Sequence, residues 1–90
     1  MNNKRDLKRS LNYVCSELFA ECVAAYLSAK EEDVPAVDSI LTGILAVHKD
    51  FVKRVSHPEP GMKARKYYKV LVEDFNKAVV EIIDQIQAVG

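Results

Sequence analysis

Only one stretch of this 90-residue chain, His57-Pro58-Glu59-Pro60-Gly61, concentrates residues that break a helix. Proline lacks an amide donor and restrains the residue before it, so a helix cannot pass through such a segment. With three glycines and three prolines in all, few other turns are possible. The chain is therefore restricted to long helices with short connections.

Apolar residues recur at the 3.6-residue helical period in three segments. The first runs from about 4 to 30, with Asn2 or Asn3 as its cap. Its apolar arc holds Leu7, Leu11, Val14, Cys15, Leu18, Phe19, Cys22, Ala25, Tyr26 and Ala29. Glu31-Glu32-Asp33 ends it, and Asp33 or a neighbour can cap a second helix over about 34–56. Pro35 suits that helix's first turn, where no amide donor is needed. The second arc is Val37, Ile40, Leu41, Ile44, Leu45, Val47, His48, Phe51, Val52 and Val55. A third helix over about 60–88 presents Tyr68, Leu71, Val72, Phe75, Ala78, Val79, Ile82, Ile83, Ile86 and Val89.

Two short connections between long helices force antiparallel neighbours. The expected fold is all-α, an up-down-up three-helix bundle forming one domain over 1–90. Gly43 lies on the flank of the second arc, where it costs up to ~1 kcal/mol relative to alanine. Close approach of another helix is one possible reason for it, and tolerance without a role is the other. The longest apolar run, Cys22 to Leu27, is far shorter than the roughly 20 residues that span a bilayer. Cys15 and Cys22 stand about 10 Å apart along one helix, too far to bridge. Two free thiols and a polar start suggest a soluble, cytoplasmic protein.

The net charge is zero, but its distribution is not even. Running up, down and up, the chain collects Lys4, Arg5, Lys8, Arg9, Lys49, Lys53, Arg54, Lys63, Arg65, Lys66 and Lys69 at one end. Set against Asp6, Asp50 and Glu59, 11 bases less 3 acids leave +8 there; ten acids against Lys30 and Lys77 leave −8 at the other end. Helix dipoles do not account for this. Acids favour a helix N-terminus and bases a C-terminus; the second helix obeys, and the first and third run the other way. A basic end of this kind suits nucleic acid, phosphate or an acidic protein surface. The candidates are Lys4, Arg5, Lys8, Arg9, Lys53, Arg54, Lys63, Arg65, Lys66 and Lys69. Tyr67 and Tyr68 are interleaved with them, but Tyr68 falls on the core arc and Tyr67 on its edge, which disfavours stacking on bases. An overall pI near 6.7 also falls short of a dedicated nucleic-acid binder, so this reading stands second.

A different feature carries the first reading. On the outer side of the first helix, Tyr13, Ala20, Ala24 and Leu27 recur at spacings of seven, four and three. An isolated surface helix would be charged there. The stripe resembles a short heptad seam whose alanines admit another helix closely. It suggests a homodimer. Charge favours the antiparallel arrangement, with a two-fold axis near Ala20 setting Tyr13 of one copy against Leu27 of the other.

Catalytic and metal chemistry find little support. His48 lies on the second helix's apolar arc, roughly level with Cys15 and Tyr68. A Cys–His pair could activate a thiolate, but Asp50 projects from the opposite side and no glycine-rich oxyanion loop follows. A His48 bonded to Tyr68, or emerging between helices, fits better. Neither His48 nor His57 has an acid three residues before it, so the Glu-x-x-His pattern of di-iron bundles is missing. Cys15 and Cys22 lack zinc-ligand spacing, and no phosphate-binding loop occurs. Arg54 and His57 are too close to match the Arg-x4-6-His pattern of helical ribonuclease toxins.

The segment Lys4-Arg5-Asp6-Leu7-Lys8-Arg9-Ser10-Leu11-Asn12-Tyr13-Val14-Cys15-Ser16-Glu17-Leu18-Phe19-Ala20-Glu21 resembles the start of small uncharacterised helical proteins of the Bacteroidetes type. That resemblance implies a compact helical fold and transfers no activity, cofactor or site residue. The sequence thus suggests a non-enzymatic interaction module that self-associates, uses no cofactor or metal and does not enter the membrane. Polyanion binding is the alternative.

Overall fold

The computed structural model describes residues 4–89 and is a three-helix bundle. α1 spans Lys4–Ser28, α2 Val34–Ser56 and α3 Ala64–Val89. The asparagine cap expected for the first helix lies outside the described residues. The bundle is a rod of 48 × 19 × 16 Å.

α1 stops two residues before the expected end. Ser28 Oγ turns back onto the carbonyls of Ala24 and Ala25 at 3.2 and 3.4 Å, and Lys30 is extended at φ −70°, ψ 154°. A single 3-10 turn, Glu31–Asp33, then leads into α2, closed by Asp33 N–H to the Lys30 carbonyl at 2.8 Å. Asp33 occupies the N-cap position of α2 but makes no side-chain cap bond, contrary to expectation. Its charge still faces the positive end of that helix dipole. Pro35 sits in the first turn as expected.

The third helix begins at Ala64 rather than near 60. Gly61 takes φ 89°, a left-handed value open to glycine, and Met62 N–H closes a turn on the Glu59 carbonyl at 3.4 Å. A chain that has just turned back needs two more residues before regular bonding resumes, from Tyr67 N–H to Lys63 O at 2.9 Å.

Two connected clusters form the core. Leu11, Cys15, Phe51, Val55, Leu71 and Phe75 fill one half of the rod. Leu18, Cys22, Val37, Ile40, Ile44 and Ile82 fill the other. Residues at the edges of the expected arcs fare differently: Phe19, Tyr26, Leu45, Val72 and Ile83 are exposed. Each helix carries a wider apolar arc than its two neighbours cover. The shortfall includes an open groove between α1 and α3, lined by Tyr13, Val14, Leu18, Val79, Ile83 and Ile86 with Glu17, Glu21 and Gln87.

Among the described residues, nothing beyond Gly43's chain neighbours and its own helix backbone comes within 4 Å of a Cβ built there. Close approach inside the bundle is therefore not its reason. Gly43→Ala should stabilise the fold by about 1 kcal/mol, read as a higher urea midpoint with an unchanged slope. A loss of stability would show that something packs against this site.

Candidate functional site

The four stripe residues lie where the helical period places them. Tyr13 is 67% and Leu27 80% exposed, and Ala20 and Ala24 between them are also exposed. Nothing in the bundle covers this face. Tyr13 also forms one wall of the groove between α1 and α3, so the apolar surface continues round the helix. The groove was not legible in the sequence, because Val79, Ile83 and Ile86 read there as core. A second exposed patch joins Phe19 and Leu45 across the opposite side of α1, beside Cys15, Ile44 and His48.

The charge poles survive with smaller values. Glu73 and Asp74 lie before the midpoint of α3 and so fall in the basic half of the rod. Halving each helix at its true midpoint gives 11 bases against five acids at one end and two against eight at the other. The split is +6 and −6, not +8 and −8. Lys4, Arg5, Arg9, Lys53, Lys63, Arg65, Lys66 and Lys69 are exposed, and Lys8 is half-buried. Arg54 is not free to act as an anion ligand. Its guanidinium reaches Asp50 at 3.1 Å and Asp74 at 3.7 Å, and lies 4.7 Å from the centre of the Phe51 ring.

Tyr67 and Tyr68 hold the end of α2. The last carbonyls of a helix lack intrahelical donors. The Tyr67 hydroxyl donates to the carbonyls of Arg54 at 3.0 Å and His57 at 3.4 Å, and the Tyr68 hydroxyl to that of Val55 at 3.1 Å. The two rings meet edge to face at 5.4 Å. Because Tyr68 is committed to Val55, it is not the partner of His48. His48 Nε2–H donates instead to Asn12 Oδ1 at 2.6 Å, across the α1–α2 seam.

Cys15 and Cys22 are free and buried. Burial pushes both thiols above the ordinary range, and Asp38 adds to the effect at Cys22. This opposes the lowered pKa that an activated thiolate requires. Cys22 Sγ is further turned onto the Val37 carbonyl at 3.7 Å. Both thiols should react slowly with a disulfide reagent at neutral pH, at least ~100-fold below a free thiol, and become fast in denaturant. Rapid labelling of Cys15 in the folded chain would contradict this. Among the described residues, no cluster of His, Cys, Asp or Glu is suited to a metal ion. Nor is any helix there long and apolar enough to cross a membrane.

No protein-family model, curated protein or solved structure matches this chain.

Proposed function

We propose that this chain is a non-enzymatic interaction module of the cytoplasm that forms an antiparallel homodimer through the outer face of α1. The observation carrying this reading is the unpartnered stripe, where Tyr13 and Leu27 stand 67% and 80% exposed with small residues between them. Burying a fully exposed leucine is worth roughly 1.5–3 kcal/mol, and a two-fold interface gains it twice.

Charge selects the direction. Parallel packing would stack +6 on +6 and −6 on −6, while antiparallel packing sets each pole beside its opposite. Sedimentation equilibrium across the micromolar range tests the proposal. The apparent mass should rise from 10.1 kDa towards twice that value. A constant monomer mass at high micromolar concentration would overturn it.

A further inference from the structure

We propose that the basic end of the rod binds the phosphate backbone of double-stranded nucleic acid without reading its bases. On α1, Lys4, Arg5, Lys8 and Arg9 line a shallow hollow together with Asn12. Asn12 Oδ1 is taken by His48, so its amide nitrogen is the donor left to the hollow. The exposed bases of α3 and of the preceding loop lie at the same end, which also carries the N-termini of α1 and α3. Two helix N-termini against the one C-terminus of α2 leave a net positive dipole contribution there. Among the described residues, Arg54 is the only base of this set held in an ion pair.

Zero net charge does not oppose this. At physiological salt the Debye length is about 8 Å, and the rod is 48 Å long. A polyanion touching the basic end is screened from the acidic one. The rod approaches as a dipole, basic end first.

The class of polyanion follows from what this end lacks. Single-strand binders add stacking on aromatic faces to backbone charge; here Tyr67 and Tyr68 are tied to α2 carbonyls, and Tyr13, the exposed ring of this half, lies on the proposed dimer face. A lipid surface needs an apolar anchor beside the charge. At the basic tip that anchor is limited to Met62 and Val70, 37% and 40% exposed, while Leu27, Leu45 and Val80 lie further along the rod. Duplex backbone needs only cations and donors, and it offers the higher charge density.

Anisotropy of a labelled duplex of about 20 base pairs tests this, alongside a single strand of equal length and phosphatidylserine vesicles. Four neutralised phosphates give a slope near −3.6 in log K against log salt, about a 150-fold loss between 50 and 200 mM. Duplex should bind more tightly than single strand, and vesicles should not bind. Arg5→Glu with Arg9→Glu should weaken binding at least ~10-fold and flatten the slope. In the Ala20→Arg background, where the chain is a free rod, Glu31→Lys with Glu32→Lys at the far end should change affinity less than ~2-fold. Four results would each overturn the proposal: no duplex binding at 50 mM salt, preference for the single strand, capture by vesicles, or a far-end effect as large as that at Arg5 and Arg9.

Discussion

Phe51→Ala should remove about 3–5 kcal/mol of stability. That is a large share of the roughly 4–14 kcal/mol available to a domain of this length. Phe51 is 5% exposed and joins all three helices through Leu11, Cys15, Val55, Leu71 and Phe75. Its ring meets Phe75 edge to face at 5.2 Å and 69°. The same ring supports the Arg54 guanidinium on its outer side. Truncation therefore opens a cavity, deletes an aromatic pair and takes away the platform of an ion-paired arginine. Urea unfolding followed by helical circular dichroism measures the loss. A change below ~1 kcal/mol would mean that the basic half of the rod closes without this residue.

The second large effect belongs to association rather than folding. Ala20→Arg should weaken the proposed dimer at least ~100-fold while leaving the monomer's stability within about 0.5 kcal/mol. Ala20 is exposed in the bundle, and arginine is nearly as good a helix former as alanine. Near a two-fold axis, however, the substitution sets two guanidinium groups against each other and fills the space left for close approach. Ser39→Arg, on the exposed side of α2, is the control and should sediment like wild type. If Ala20→Arg still dimerised, the seam would lie elsewhere. The groove between α1 and α3, or the Phe19–Leu45 patch, would then be the next candidate.

The two uses of the charge polarity oppose each other. An antiparallel partner lays a −6 end beside each +6 end, which weakens the field a polyanion meets. Added duplex should therefore shift the chain from dimer towards free rod, and raised salt should reduce that competition.

Helical periodicity identified the three helices because each is long and carries a continuous apolar arc. It located α2 at both ends, since Pro35 and the His57–Pro58 break act locally. The start of α3 was not legible in the same way. Pro60 and Gly61 marked a break, but the turn through Gly61 had to be completed before a helix could restart at Ala64. Core residues at the centres of the arcs read correctly. Those at the edges did not, because Phe19, Leu45 and Ile83 are covered or open according to how tightly neighbouring helices close, and periodicity does not encode that distance. The stripe was legible because apolar residues facing outward contradict the pattern of a surface helix. His48 was recognisable as a polar group on an apolar arc. Its partner Asn12 was missed because the seam register lies three residues from the level that placed it beside Cys15. Arg54 was counted as an available cation although Asp50, one turn earlier on the same helix, was a legible partner; its second partner, Asp74, belongs to another helix and was not.

A distance between two copies tests the central claim most directly. Ser10 is exposed and lies ten residues from Ala20, while Cys15 and Cys22 are buried from a spin label. With Ser10→Cys labelled, an antiparallel dimer centred near Ala20 should give an electron–electron distance of about 30 Å, from ~1.5 Å per residue in both directions. A distance under ~15 Å would mean parallel packing, and the absence of any dipolar signal at high micromolar concentration would mean that the chains do not pair.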